Sequence, residues 1–409
     1  MIHRGVAAVP ILLALSATAT QQPRSPKAET FSAAANLVLV DFVVTDKSDR
    51  VVAGLSANDF VVKEDGKERP IVSFTAFGGE PPRAPEAAAP ASSEPAQNAP
   101  ASIQAVALTV TVILVDDGHL TPEMAMRLKP SLKALLSSVA GRRGGLALLA
   151  PWSGVSVAGA LPEDGPTLAS AVDRIQGHRM PPTKEDMMSD AEAIAIDRGD
   201  QTTLARLAAR RQNLRGRESG VAQQIPGEAT EIAAAARRRR EDLYGFVFKG
   251  LDWLASKSGR RSLIMVSEGF AVDPDDMTRH EVLTRSMRIN APLHYLDVRG
   301  LPGLSPFQGV EYGAALDIQA GEGPFARSDA SQGATSLADD TGGIVVQNTN
   351  DMVKGLNRML DTMKTYYILG YEPPSGGLGF RKIKVEVRRK DLKVLARRGY
   401  VAKESPPSK

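Results

Sequence analysis

One almost wholly apolar segment constrains the fold of this chain more than any other feature. It runs from Val106 to Val115 and ends abruptly at Asp116-Asp117-Gly118. A strand of this composition needs cover on both faces, as in the centre of a parallel sheet. Apolar side chains at helical spacing follow, although Pro130 must kink or restart that helix. We therefore predict a central strand followed by a covering helix.

The same alternation of strand and helix continues to about residue 364. Further strands are predicted at 146–151, 155–161, 262–267, 293–298 and 344–346, with helices between several of them. Such an order implies a mostly parallel sheet with helices on both faces. We therefore predict a doubly wound α/β domain over residues 103–364.

Segments with β-strand patterns flank this domain at 31–79 and 365–403. In the first, Asp65-Gly66 stands where a two-residue hairpin turn is expected. In the second, apolar and charged residues alternate between 383 and 396 around a turn at Lys390-Asp391, which predicts a β-hairpin with one solvent-facing side. Because each segment alone offers too few strands to close a core, we expect the two to pair into one small sandwich.

Two other stretches lack the pattern of a central core. Residues 80–102 are dominated by Pro, Ala, Ser and Glu, which bury too little apolar area to offset the entropy of ordering, so a disordered linker is predicted. Residues 183–242 are rich in Ala, Arg, Glu and Gln, and a helical insertion is predicted there. Within it, the side chains of the four residues from Arg237 to Arg240 point around more than half of the circumference of a helix, which favours a solvated face over an anion-binding patch.

The first twenty residues carry the pattern of a secretory signal peptide. A basic start is followed by an apolar run from Val6 to Leu15 and by Ala17-Thr18-Ala19, where cleavage is expected. A buried first strand and a retained membrane anchor are the alternatives. The chain has no cysteine, and an exported protein without disulfides is typical of bacterial envelopes or bacterial secretion. After cleavage, no transmembrane segment is expected.

The candidate ligand site is the carboxyl edge of the predicted sheet. In an open parallel sheet, ligands bind beyond the carboxyl ends of the strands, where the connections leave to opposite faces. Three loops are expected there: 116–121, the loop from Met180 to Thr183, and 267–270. Their carboxylates and hydroxyls would suit a hard divalent cation such as Mg²⁺, which prefers oxygen ligands.

Several longer motifs give the chain a family resemblance. They are Val40 to Asp46, Glu64-Asp65-Gly66, Gly259 to Phe270, Thr341-Gly342-Gly343, Tyr366 to Tyr371 and Arg397 to Tyr400, together with the apolar strand ending at Asp116. On these motifs, which cover nearly all of the chain outside the linker and the insertion, it resembles von Willebrand factor A (VWA) domains. More closely, it resembles the VWFA-related secreted proteins typical of acidobacteria. The resemblance implies a Rossmann-like fold that binds protein ligands through Mg²⁺ or Mn²⁺.

The resemblance also implies where the metal ion would bind. The family uses an Asp-x-Ser-x-Ser motif after the first strand, a threonine from a second loop and an aspartate from a third. Asp116 fits the leading position, whereas Gly118 and Leu120 replace the two serines. The predicted ligands of Mg²⁺ or Mn²⁺ are Asp116, Asp117, Thr183 and Glu268. The loss of two hydroxyl ligands makes this a degenerate and weakened site.

Two other interpretations of these side chains stay open. A shifted set would use Asp117, His119 and Thr121. Alternatively, Asp116 and Asp117 cap the following helix and complement the positive end of its dipole.

The sequence as a whole predicts a non-enzymatic, adhesion-type module that binds an unidentified protein ligand. The phosphate-loop, H-E-x-x-H and G-x-S-x-G signatures of common enzymes are missing. A net charge of only +3 gives no reason to expect a nucleic-acid partner. One alternative is a metal-assisted hydrolase using Asp116, Asp117, His119 and Glu268. The other is a structural scaffold of the cell envelope in which the insertion 183–242 docks a helical partner.

Overall fold

The computed structural model describes residues 37–78, 108–139, 144–180, 188–215, 221–301, 324–374 and 379–402. The predicted signal peptide 1–20 and linker 80–102 lie outside these residues. Along the described chain, no helix has both the length and the apolar character that crossing a membrane requires.

The β-strands, in chain order, are β1 (Val38–Asp46), β2 (Phe60–Glu64), β3 (Lys67–Arg69), β4 (Ser73–Phe77), β5 (Thr109–Val115), β6 (Gly144–Ala150), β7 (Val155–Leu161), β8 (Arg260–Ser267), β9 (Leu293–Asp297), β10 (Val345–Val346), β11 (Tyr366–Tyr371), β12 (Gly379–Val387), β13 (Leu392–Ala396) and β14 (Gly399–Ala402). The helices are α1 (Pro122–Val139), α2 (Gly165–Asp173), α3 (Asp190–Asp197), α4 (Gln201–Arg215), α5 (Val221–Ala255), α6 (Met277–Ile289), α7 (Pro324–Thr341) and α8 (Met352–Asp361).

A six-stranded sheet forms the centre of the molecule, in the order β10-β9-β8-β5-β6-β7. All neighbouring strands are parallel except β6 and β7. The strand β5, which carries the apolar run, has neighbours on both sides: Val112 lies opposite Ala147 of β6 and Leu263 of β8. This mixed, mostly parallel arrangement confirms the predicted α/β class.

Helices cover both faces of this sheet and supply its two apolar cores. On one face, α1, α2 and α8 pack with side chains such as Leu128, Leu168 and Leu356. On the other, α5, α6 and α7 pack with side chains such as Leu251 and Val282. The helix α1 runs as one element across Pro130, so of the two predicted outcomes, a kink or a restart, the restart does not occur. Double cover explains why β5 needs no polar face.

Two four-stranded antiparallel sheets combine strands from both flanking segments. Their orders are β13-β1-β11-β4 and β14-β12-β2-β3. Between them lies a separate core in which the rings of Phe42, Phe60 and Tyr367 are in mutual contact, with centroids 4.8 to 5.6 Å apart. The strand β1 lies between β11 and β13, so each segment completes the sheets of the other.

The turns of these segments follow the predictions in one case and differ in another. Asp65 and Gly66 both have positive φ and join β2 to β3 in a tight hairpin, as predicted. The predicted hairpin at Lys390-Asp391 is wrong, because β12 pairs with β2 and β14 whereas β13 pairs with β1. That turn carries the chain from one sheet to the other.

The described part of the insertion forms a helical layer with its own small core. Side chains of α3, α4 and the first half of α5, including Ile194, Leu207 and Ala229, are buried together. The expectation of a solvated arginine face holds for the exposed Arg238 and is wrong for the other three arginines. Arg237 binds Asp197 at 2.8 Å and Asp273 at 3.0 Å, Arg239 binds Asp190 at 2.9 Å, and Arg240 binds Asp276 at 3.0 Å. These arginines attach α5 to α3 and to the loop before α6.

Candidate functional site

The candidate site lies where β5 and β8 run side by side and their connections separate. After β5 the chain enters α1 on one face of the sheet, and after β8 it enters α6 on the other. In open α/β sheets such a divergence marks the place where ligands bind, beyond the carboxyl ends of the strands, and we call this place the crevice. Asp116 and Asp117 follow β5, Glu268 follows β8, and Asp297 is the last residue of β9.

Asp116 connects the ends of β5 and β8. Its carboxylate is buried, and Oδ2 accepts a hydrogen bond of 2.6 Å from the Ser267 hydroxyl. Its Oδ1 lies 2.8 Å from Nδ1 of the buried His119. The Ser267 hydroxyl in turn accepts a hydrogen bond of 2.8 Å from the backbone N–H of Gly269. Both carboxylate oxygens are therefore engaged within the protein.

Asp117 faces a different loop from Asp116. Its fully buried carboxylate accepts hydrogen bonds from the backbone N–H groups of Trp152 at 3.1 Å and Ser153 at 2.6 Å. Burial raises the pKa of Asp117 despite these donors. Its backbone carbonyl accepts from the N–H of His178 at 2.9 Å. The side chain thus fixes the turn between β6 and β7.

Glu268 follows β8, and its side chain contacts the start of α1. One of its oxygens accepts a hydrogen bond of 2.8 Å from the backbone N–H of Thr121, whose hydroxyl accepts from the N–H of Met124 at 3.3 Å. The other oxygen lies 3.8 Å from the Arg179 guanidinium. Burial raises the pKa of this carboxyl. The backbone N–H groups at the start of α1 therefore donate to Glu268 and Thr121. Asp116 and Asp117 do not cap this helix.

A further charged pair, which the sequence did not single out, completes the crevice. Arg299 binds the carboxylate of Asp297 through two nitrogens, at 2.9 and 2.5 Å. The Tyr295 hydroxyl, two residues before Asp297 in the chain, is buried and has no hydrogen-bond partner among the described residues. Burial, and next the charge of Asp297, raise the pKa of Tyr295, and the charges of Asp116 and Glu268 act on it in the same direction. The charges of carboxylates at the ends of three strands therefore act in the same direction on one hydroxyl.

The predicted metal ligands do not converge as a cation site requires. Thr183 lies outside the described residues, and Asp116 and Asp117 face different partners. Across the described ranges, no group of three or more His, Asp or Glu side chains is arranged to hold a metal ion. In the shifted set, His119 contacts Asp116 while the Thr121 hydroxyl caps α1, so those groups do not converge either.

Gly118 and Leu120 stand where the family motif has two serines, and the surroundings of each disfavour a serine. A Cβ atom at Gly118 would lie 2.9 Å from Nε1 of Trp152, so a serine there would need the indole to move. Leu120 is fully buried in the core beneath α1 and α2. A polar ligand at Gly118 would displace Trp152, and one at Leu120 would lie in an apolar core, so the described donors of this crevice do not fit Mg²⁺ or Mn²⁺.

A serine, a histidine and an aspartate meet on the outer side of the crevice. Ser153 Oγ lies 3.5 Å and Asp117 Oδ2 4.0 Å from His178, but both approach the same ring nitrogen, Nε2. A nucleophilic triad needs the serine and the aspartate on opposite nitrogens. The Ser153 hydroxyl also accepts a hydrogen bond of 2.8 Å from the N–H of Gln176. The arrangement fixes loops and has no triad geometry.

Comparisons with known proteins identify no family and no curated relative of this chain. No known family model matches the sequence, and no curated protein matches it. Among solved structures, the TFIIH p34 N-terminal domain aligns at 9% identity over 62% of this chain and 96% of its own, with a TM-score of 0.25.

Two further structures align with a similar share of this chain. Proximal thread matrix protein 1 from the mussel byssus aligns at 10% identity over 63% of this chain and 46% of its own, with a TM-score of 0.25. The open conformation of the pilus adhesin SpaC from Lactobacillus rhamnosus GG aligns at 10% identity over 72% and 43%, with a TM-score of 0.28. The chain thus spans less than half of the last two structures, and TM-scores this low carry no argument about fold or function.

Proposed function

We propose that this protein is an exported, non-enzymatic binding module of the VWA type, which recognises a protein partner through the carboxyl edge of its central sheet. The supporting observation is a set of exposed apolar side chains in the loops at this edge. Trp152 follows β6, Met180 ends the described loop after α2, and Leu301 follows β9; they are 45%, 81% and 40% exposed.

These side chains have the chemistry of an interface. Tryptophan is enriched among the residues that dominate binding energy, and methionine adapts its shape to a partner. Single exposed apolar residues are ordinary, but here three separate loops present them at the edge where α/β sheets bind their ligands. We therefore place the recognition surface on the loops that carry Trp152, Met180 and Leu301, and call it the edge surface.

The loops of the edge surface are held in place from within. Asp117 fixes the Trp152 loop, and the backbone N–H of Arg179 donates to the carbonyl of Leu120 at 2.9 Å. Loops attached to a rigid sheet lose little entropy on binding. The hydrolase alternative has less support, because Asp116, Asp117 and Glu268 are already bound to groups of the protein itself. No described contact favours the scaffold alternative.

Site-specific photo-crosslinking tests this proposal. A photoreactive phenylalanine analogue is placed at Trp152, Met180 or Leu301, and at the control positions Val72 and Phe380, which are 54% and 53% exposed in the two flanking segments. In envelope and medium fractions of the producing cells, the three edge positions are expected to label the same protein, and the controls are not. Equal labelling from Val72 and Phe380 would contradict the proposal.

An affinity measurement then separates specific binding from adventitious capture. With the labelled protein as ligand, the double variant Trp152→Ala/Leu301→Ala is expected to bind at least about tenfold more weakly, which is the loss of one modest anchor. The matched control Val72→Ala/Phe380→Ala is expected to bind as the wild type does. Loss of affinity in the control and retention in the edge variant would reverse the assignment of the surface.

A further inference from the structure

A small cavity lies between the flanking sheets and the amino ends of the central strands β8 and β9. On the flanking side it is lined by β1 and by residues 395–397, and on the central side by α6, the start of β8, the start of β9 and the end of α7. Its charged and hydrogen-bonding lining side chains include Asp41, Arg260, Ser286, His294, Thr341 and Arg397. About 20 Å³ are open to the centre of a water-sized particle, which is enough for one water molecule or one small ion. We call this space the interlayer cavity.

His294 brings a buried N–H donor without an acceptor to the interlayer cavity. Its side chain is 2% exposed, and its Nδ1 accepts a hydrogen bond of 3.0 Å from the backbone N–H of Ile344, so the neutral ring carries its proton on Nε2. This Nε2 is buried and has no hydrogen-bond partner among the described residues. Because a buried donor without an acceptor is unfavourable, such an atom indicates a bound water molecule or ion.

Two arginines of the cavity lining each leave one further donor without a partner. Arg260 donates from Nη1 to the Asp41 carboxylate at 3.2 Å. Arg397 donates through its two terminal nitrogens to the backbone carbonyls of Met287 at 2.8 Å and Leu39 at 2.7 Å. In both arginines, Nε is buried and has no hydrogen-bond partner in the described part of the chain.

The charge of Arg260 reaches the ring of His294. Burial, and next this charge, lower the pKa of His294 to about 3, which keeps the ring neutral at physiological pH. The two side chains therefore interact within the cavity that both of them line. Arg260 comes from the first position of β8 and His294 from the second position of β9.

The polar atoms and charges of the interlayer cavity favour an anion over a water molecule. The buried side-chain atoms without partners in its lining are all N–H donors, whereas the hydroxyls of Ser286 and Thr341 donate to backbone carbonyls at 2.6 and 2.9 Å. A water molecule needs acceptors for its own two protons, and an anion needs none. The lining also brings two guanidinium charges against the single carboxylate of Asp41, and a buried excess charge is unfavourable unless it is paired.

We propose that the interlayer cavity binds one small monovalent anion, such as chloride, which accepts a hydrogen bond from Nε2 of His294 and pairs with the guanidinium groups of Arg260 and Arg397. Since Arg397 belongs to a flanking segment and His294 to the central domain, the ion joins these two parts of the molecule. Sulfate and gluconate are too large for the cavity. This site is independent of the edge surface, which lies beyond the opposite, carboxyl ends of the central strands.

Replacement of one anion by another in the purified full chain tests this site. The melting temperature is measured by calorimetry while sodium gluconate is exchanged for sodium chloride at constant ionic strength. Chloride and bromide are expected to raise the melting temperature and the effect to saturate, because each binds the folded chain and not the unfolded chain. The chloride-35 NMR line is expected to broaden on addition of the protein and to narrow when bromide competes.

Two variants assign the effect to the cavity. In His294→Asn the amide oxygen can still accept from the N–H of Ile344, but the Nε2 donor is lost, and chloride is expected to bind at least about tenfold more weakly. Arg397→Gln, which removes one positive charge, is expected to weaken binding to a similar extent. The matched control is His280→Asn on the exposed side of α6, which is expected to respond to chloride as the wild type does.

A location measurement needs no variant. In crystals of the wild type grown with bromide, an anomalous scattering peak is expected in the interlayer cavity. Equal melting temperatures of the wild type in chloride and gluconate, with no broadening of the chloride line, would show that the cavity holds no anion. An undiminished chloride response in folded His294→Asn, or bromide found only at the surface, would equally overturn the inference. None of these results depends on the crosslinking pattern of the edge surface.

Discussion

Replacing Asp116 tests whether its carboxylate is what connects β5 to β8. The change Asp116→Ala leaves two buried groups without their partner, the Ser267 hydroxyl that donates at 2.6 Å and the His119 ring at 2.8 Å. Each buried group left unsatisfied costs about 1–3 kcal/mol. We therefore expect the free energy of unfolding to fall by about 2–6 kcal/mol, a large part of the roughly 5–15 kcal/mol that holds a typical domain together.

Urea unfolding followed by tryptophan fluorescence measures this change, with the dependence on urea concentration expected to stay constant. The control is Asp173→Ala, which removes an exposed carboxylate paired with Lys133 and is expected to change the free energy by about 0–1 kcal/mol. A double-mutant cycle with Ser267→Ala is expected to give a coupling energy of about 1–2 kcal/mol. If Asp116→Ala matched the control, or the coupling were zero, the connecting role of Asp116 would be refuted.

Three other predictions concern the buried His294, the contact between the flanking sheets and the central domain, and the signal peptide. Burial lowers the pKa of His294 to about 3, so the unfolded chain takes up a proton below about pH 6.5 that the folded chain does not, and this part of the stability is lost as the pH falls. We expect the free energy of unfolding of the wild type, measured with urea, to be about 2 kcal/mol lower at pH 5 than at pH 7, and this difference to be absent in His294→Gln; the same difference in the variant would contradict the prediction. Arg260 pairs with the buried Asp41 at 3.2 Å, so Arg260→Met is expected to destabilise by about 3–5 kcal/mol and Arg260→Met/Asp41→Leu to recover most of that loss; a double variant no more stable than the single would contradict it. Mass spectrometry of the exported protein is expected to find an N-terminus close to Ala19, and recovery of the uncleaved chain would contradict it.

The local pattern of the sequence was sufficient for the strands of the central sheet and the class of the fold, but it did not mark the helix α7. The apolar run ending at Asp116 became the central strand β5, and the alternation that follows gave a mostly parallel sheet with helices on both faces. This works because the periodicity of apolar residues reports directly which side of an element is buried. The Asp65-Gly66 turn was equally predictable, since few residues adopt positive φ.

The same kind of pattern failed where the answer depended on which strands become neighbours. Alternation around Lys390-Asp391 correctly marked two strands, but whether they pair with each other or with β1 and β2 is decided by the closing of the sandwich core. The run from Arg237 to Arg240 predicted a solvated face because the aspartate partners of Arg237, Arg239 and Arg240 are distant in the sequence, on α3 and in the loop before α6.

At the candidate site, sequence alone located the edge and the carboxylates but not their roles. Asp116 and Glu268 do lie at one crevice, and Ser267 belonged to a predicted loop, whereas Tyr295 and Arg299 were not singled out, although the close spacing of Asp297 and Arg299 after a strand was a signal. A carboxylate has the same sequence signature whether it binds a metal ion, a guanidinium or a backbone N–H. Only tertiary structure decides among these, because the partners come from strands and loops far apart in the chain and the energy of a buried charge depends on all of them.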